Sequence, residues 1–247
     1  MSFAKRGLAR AITGFAGAQV ITQNADTEPE LPPQAIYYAN HSSHLDFLTI
    51  WAALPDELQK RARPIAAKDY WGSGIRKSMA EKVFNAYLVD RHGSSSTRQR
   101  ASDSGVSPKG QIQGMTEVLD QGDSLIIFPE GTRGDGESIA TFRGGLYRLA
   151  EHNPQIPVVP VTLVNVGRIL PKGEVIPVPH LSKVVFCEPI RVQPGEDQGS
   201  FLTRARAVLI GCLTDHQANF DGEGDNNREN DGAAPPNTEN SIQEPEA

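Results

Sequence analysis

The stretch Ala35-Ile36-Tyr37-Tyr38-Ala39-Asn40-His41-Ser42-Ser43-His44-Leu45-Asp46 passes directly from an apolar segment into a polar one. Ala35 to Ala39 reads as a short buried strand. Asn40 to Ser43 break it. Leu45 to Leu54 continue as a helix, with Ser43 as a good N-cap and Pro55 as its stop.

Working outward, the same alternation recurs. Pro64–Ala67, Tyr87–Val89, Leu125–Phe128 and Lys183–Cys187 read as strands, as does Ile156–Val166, interrupted by Pro157 and Pro160. Helical stripes fall at Ile75, Met79 and Val83, and at Ile112, Met115, Val118 and Leu119, the latter closed by Gly122. Two more helices are expected over 144–152 and from about 200 to 216. Residues 92–108 read as a Ser-, Gly- and Arg-rich loop. Strands alternating with helices predict an α/β fold, a largely parallel mixed sheet flanked by helices on both faces. The domain is expected over 35–220. An N-terminal amphipathic helix and connector precede it (1–34), and a disordered acidic tail follows (221–247).

Composition limits the rest. The chain has 247 residues and a net charge of −6. The tail from Asp221 carries eight acids against Arg228 alone, so the remaining body is close to neutral and no nucleic-acid partner is expected. Cys187 and Cys212 form no CxxC pattern and fit a reducing compartment without a chemical role. No apolar run approaches the ~20 residues of a spanning helix, and the N-terminus lacks a secretory leader's apolar stretch. Residues 3–20 place Phe3, Leu8, Ile12 and Phe15 on one side and Lys5, Arg6 and Arg10 elsewhere. Such a helix either covers the core or leans on anionic lipid.

His41 and Asp46 are too far apart in angle to meet on one helix, so they belong to a strand end and the next helical turn. Asp46 stands three residues after Ser43, where a capping box puts its acid. A carboxylate there can also fix the tautomer of an imidazole and leave its other nitrogen basic. His41, His44 and Asp46 are alternatively readable as metal ligands, although a closed site wants three or four convergent donors.

The second string is Phe128-Pro129-Glu130-Gly131-Thr132-Arg133, after an apolar strand. Ligands of open α/β sheets bind beyond the carboxyl ends of strands. Gly131 permits close backbone approach, and Arg133 offers a guanidinium fork suited to phosphate. Glu130 reads as a ligand for a polyol hydroxyl, an anchor for a basic neighbour, or part of an ordinary surface turn. Lys68 and Arg91 also follow strands, and Arg143 precedes a helix start. Phosphate binding is their natural common purpose.

From about Ala35 to Pro189 the chain resembles the glycerolipid acyltransferase family (the phosphate acyltransferase domain), typified by bacterial 1-acylglycerol-3-phosphate O-acyltransferase. The family's Asn-His-x-Ser-x-x-Asp block is met by Asn40, His41, Ser43 and Asp46. The block ending in arginine is met at Tyr87–Arg91, with Asn85 where glycine is common. Phe-Pro-Glu-Gly-Thr-Arg is met in full at 128–133, with Gly134 where serine often follows. The apolar run around proline is met at Ile156–Val161.

The resemblance implies that His41 deprotonates an acceptor hydroxyl while Asp46 supports it. The hydroxyl then attacks an acyl thioester directly, without an acyl-enzyme. Arg91, Glu130, Gly131, Thr132 and Arg133 would hold the glycerol-phosphate part, and Lys68 and Arg143 join them by position. Backbone N–H groups near Gly131 or in the Ser42–Ser43 turn are the expected oxyanion donors. No metal or cofactor is implied, and acyl-CoA or acyl-carrier protein is the co-substrate. The implied acceptor is lysophosphatidic acid, giving phosphatidic acid, at the inner face of the membrane as a peripheral cytoplasmic protein. Lyso-ornithine lipid or lysophospholipid is the alternative acceptor, and a metallo-hydrolase the alternative chemistry. The stretch from Leu54 to Asp69 also resembles acyltransferase domains fused to acyl-activating enzymes.

Overall fold

The apolar segment 35–39 forms the central strand, and its alternation decides what lies on each side. Tyr37 and Ala39 face one hydrophobic core, and Ile36 and Tyr38 face the other. The structure is a computed structural model that describes residues 7, 18–22, 31–43, 46–67, 87–89, 108–134, 138–166 and 182–226. Its strands are β1 (Ala18–Thr22), β2 (Ile36–Ala39), β3 (Ala62–Ala67), β4 (Tyr87–Val89), β5 (Ser124–Ile127), β6 (Val158–Val164) and β7 (Ser182–Phe186). They form one sheet in the order β1-β7-β6-β2-β5-β3-β4. Neighbours run parallel except β6 and β7.

The described helices are α1 (Asp46–Ala53), α2 (Asp56–Gln59), α3 (Pro108–Asp120), α4 (Gly145–His152) and α5 (Gln198–Asn226). α1 covers one sheet face with Phe47, Leu48, Ile50 and Trp51. α3, α4 and α5 cover the other through Leu119, Leu146, Leu149, Phe201, Ala205 and Leu209. Burial on both faces explains the continuous apolar strands. α3 ends as its sequence predicts. Gly122 adopts φ +82, its N–H reaches the Leu119 carbonyl at 2.9 Å, and the Asp123 N–H reaches that of Val118 at 3.3 Å. This is the Schellman pattern, which places an achiral residue at the left-handed position.

Three expectations need correcting. Residues 18–20, read as the end of an N-terminal helix, belong to edge strand β1 beside β7. A long-range ladder decides their conformation, and no local pattern records it. α5 starts at Gln198, just after Asp197, whose Oδ1 accepts the N–H groups of Gly199 (2.7 Å) and Ser200 (3.1 Å). It runs on to Asn226, so residues 221–226 of the acidic tail are helical. β6 passes through Pro160 without interruption, and the Pro160 carbonyl takes the Cys187 N–H at 2.9 Å. The helix expected around Ile75–Val83, the loop at 92–107, and residues 3–17 other than Gly7 lie outside the described residues. No described helix is long and apolar enough to cross a membrane.

Asn40 extends the β2–β6 ladder with its side chain. Its Nδ2 donates to the Leu163 carbonyl at 2.9 Å, and its Oδ1 accepts the Leu163 N–H at 2.8 Å. Both residues are buried. Asn40→Ala leaves two buried backbone groups unpaired, so urea unfolding should show a loss of about 2–4 kcal/mol.

Candidate active site

Parallel pairing of β2 with β5 brings the two sequence motifs together. Tyr38 sits opposite Ile127, so the residues just beyond, Asn40-His41 and Phe128-Pro129, leave the sheet side by side. The His41 ring stacks on Phe128, with centroids 4.2 Å apart and planes 20° from parallel. The Phe128 carbonyl takes the Gly131 N–H at 3.0 Å. That closes a β-turn with proline at its second position and glycine at its fourth, matching the preference of type I. Gly131 itself has φ +74.

His41 is held at three points. Its Nδ1 lies 2.9 Å from Asp46 Oδ2. Its backbone N–H donates to Glu130 Oε1 at 2.9 Å, and its carbonyl accepts the Gly134 N–H at 2.8 Å. The ring is 12% exposed, while the Asp46 side chain is fully buried. Asp46 Oδ2 also receives the N–H groups of Ser42 (2.6 Å) and Ser43 (2.8 Å). The Ser43 contact is the reciprocal half of a capping box. Capping and orienting are therefore performed by the same oxygen. With Nδ1 turned to the carboxylate, the base-competent tautomer carries its proton there and leaves Nε2 open.

Glu130 is buried, and both of its oxygens meet backbone donors. Oε1 accepts from His41, and Oε2 accepts from Ala140 at 2.9 Å. Desolvation holds its carboxyl above the ordinary range. The Ala140 and His41 N–H groups and the charge of His41 oppose that shift. In this geometry Glu130 ties two loops to the end of β2. The N–H groups expected to form an oxyanion hole are also engaged. Those of Ser42 and Ser43 serve Asp46, and that of Gly131 closes its turn. Among the described residues no partner engages the N–H of Thr132 or Arg133.

Arg143 donates its backbone N–H to the Pro129 carbonyl at 2.8 Å, and its side chain lies across Gly131. A Cβ at Gly131 would collide with Arg143 Nε. Neither Arg133 nor Arg143 forms an ion pair with a described residue. The Arg143 side chain thus lies against the turn that supports His41, and Arg133 follows that turn in the chain. Lys68, Arg91 and His44 lie outside the described residues. Among those described, no group of three or more His, Cys, Asp and Glu side chains is gathered for a metal. Sequence reasoning missed Ala140 and Gly134 as supports of the site, because backbone N–H groups carry no sequence signature.

Residues 20–164 match the family model described as Acyltransferase. A probable 1-acyl-sn-glycerol-3-phosphate acyltransferase of Mycoplasma pneumoniae is 28% identical over 153 residues, covering 60% of this chain and 50% of that protein. The 1-acyl-sn-glycerol-3-phosphate acyltransferase alpha of Mus musculus is 29% identical over 162 residues, covering 64% and 50%. The chain spans about half the length of these relatives. The crystal structure of the 1-acyl-sn-glycerophosphate (LPA) acyltransferase from Thermotoga maritima superposes with a TM-score of 0.64 at 19% identity, covering 87% of this chain and 79% of that one. That likeness supports the α/β fold.

The left-handed backbone at Gly131 yields a direct test. Gly131→Ala should cost about 1–2 kcal/mol in thermal or urea unfolding, from the positive φ, and it should displace the Arg143 side chain.

Proposed function

This chain belongs to the acyltransferase family, and from that premise we propose that it moves a fatty acyl group from a thioester to the free hydroxyl of lysophosphatidic acid, forming phosphatidic acid. The observation that carries this reading is the 2.9 Å contact between His41 Nδ1 and Asp46 Oδ2 beside the Phe128–Arg133 turn. The names of the relatives support the acceptor.

In the proposed reaction the acceptor hydroxyl gives its proton to His41 Nε2 as its oxygen attacks the thioester carbonyl carbon. The buried Asp46 carboxylate stabilises the imidazolium that forms. The tetrahedral oxyanion collapses, the carbon–sulfur bond breaks, and the imidazolium proton passes to the departing thiolate. The acceptor supplies the nucleophile, so no side-chain hydroxyl is acylated. Among the described residues the N–H groups of Glu130, Thr132 and Arg133 have no partner, and we propose Thr132 and Arg133 as donors to the oxyanion. Arg133 and Arg143 take the acceptor phosphate, with Lys68 and Arg91 proposed to join them. The acyl carrier is coenzyme A or acyl-carrier protein, and no other cofactor enters. With a lyso-lipid acceptor, we propose that the protein works peripherally at the inner membrane surface.

His41→Ala should lower transfer from acyl-CoA to lysophosphatidate by roughly 10²–10⁴-fold, the usual range for a general base. Asp46→Asn should follow it, and circular dichroism should show both variants folded. Product mass spectrometry with a panel of lyso-lipid acceptors reads the outcome. Full turnover in the His41 variant removes the base from the reaction, and transfer to phosphate-free acceptors alone removes lysophosphatidate.

Arg143→Met should raise KM for lysophosphatidate by about 10-fold or more, as loss of a charge-assisted hydrogen bond would. Its kcat should stay close to that of the parent chain. Steady-state kinetics over a range of acceptor concentrations separates the two parameters.

A further inference from the structure

Arg206 lies on α5, far in sequence from both motifs, yet its guanidinium ends beside the loop that supports the general base. Nε donates to the Ile139 carbonyl at 3.0 Å and to that of Ala140 at 3.2 Å, and Nη2 donates to the Ile139 carbonyl at 2.5 Å. Residues 139 and 140 belong to no helix or strand, so their carbonyls lack ladder partners and Arg206 satisfies them. The Ala140 N–H then donates to Glu130 Oε2, and Glu130 Oε1 holds the His41 N–H. The base is therefore three links from α5.

α5 is a firm reference for that chain of contacts. The Tyr38 hydroxyl donates to the carbonyl of Ala205, adjacent to Arg206, at 2.9 Å in a buried setting. Tyr38 lies on β2 just ahead of His41, and Phe142 packs edge-on against its ring with centroids 6.0 Å apart. One clamp thus fixes α5 to the strand that ends in the base, and the next residue of α5 fixes the loop across from it.

We propose that Arg206 is a positioning residue for acyl transfer, setting the backbone of His41 through Ile139-Ala140 and Glu130. This deepens the general-base reading and rests on it. It also gives Glu130 a positioning role in place of direct contact with the glycerol part of the acceptor. Displacing a reacting group by about an ångström costs up to 10²-fold in rate while leaving substrate binding intact. An arginine elsewhere on a solvated helix face would have no such effect.

The test uses the full chain with Arg206→Met, Arg206→Lys and Glu130→Gln, read by residue-resolved amide hydrogen exchange and by acyl-CoA:lysophosphatidate kinetics. In Arg206→Met the Ala140 and His41 amides should exchange at least about tenfold faster, with strand amides of β2 and β6 unchanged. Its kcat should fall about tenfold and KM for lysophosphatidate should stay within about twofold. Arg206→Lys, which retains a donor, should recover much of the kcat. Glu130→Gln breaks the same chain at its centre and should reproduce the kcat loss and the faster His41 exchange, which covers the case of a poorly folding Arg206→Met. Unchanged exchange at His41 in both variants overturns the proposal, as does a rise in KM at constant kcat. Exchange accelerated equally throughout the protein also overturns it, by showing a general loss of stability. A parent chain that acylates no acceptor overturns the reaction itself, while the exchange measurement still upholds or refutes the tie to His41.

Discussion

One oxygen atom, Asp46 Oδ2, receives the imidazole of His41 and the N–H groups of Ser42 and Ser43, and the local architecture depends on it. The chain leaves β2 after Ala39 and starts α1 at Asp46, and this acceptor joins the two ends. A fully buried carboxylate is costly unless its charge meets donors. Here the donors come from the turn that the carboxylate itself organises, at the positive end of the helix it begins. Helix start, strand end and ring orientation therefore stand or fall together.

This convergence joins two readings of Asp46 that the sequence leaves compatible. A capping role and an orienting role each account for an acid at that spacing. Three-centre acceptance at Oδ2 satisfies both. The backbone contacts from Ser42 and Ser43 hold the carboxylate oxygen that the imidazole meets. Preorganisation of this kind lowers the reorganisation needed as charge develops on the ring.

The sheet and the meeting of the two motifs were legible because parallel strands leave a consistent trace, short apolar runs followed by helices. Once β2 and β5 are neighbours, register alone sets Phe128 against His41. What the sequence concealed falls into two kinds. β1 forms through pairing with β7 across the whole chain, and nothing within Ala18–Thr22 announces it. The support of His41 by Glu130, Ala140, Gly134 and Arg206 runs mainly through backbone groups, which every residue carries alike. Glu130 was visible as a conspicuous acid, but its spacing could not show that both oxygens face amide donors.

The charges around the ring have a consistent arrangement. Asp46 and Glu130 are both buried against His41, one at its ring and one at its backbone. Arg133 ends the Phe128–Arg133 segment, and the Arg143 side chain lies across Gly131 in the same segment. For the proposed acceptor, whose phosphate and reactive hydroxyl share one glycerol, this polarity matters. In the proposed reaction, anchoring the phosphate on these cations would direct the hydroxyl toward the nitrogen that Asp46 leaves open. The absence of a Cβ at Gly131 is what lets the Arg143 side chain lie across the turn. In the proposed reaction, selection of the hydroxyl to be acylated would then follow from the reach between His41 and the cations of a neighbouring segment. It requires no separate recognition of the acyl chain already on the acceptor.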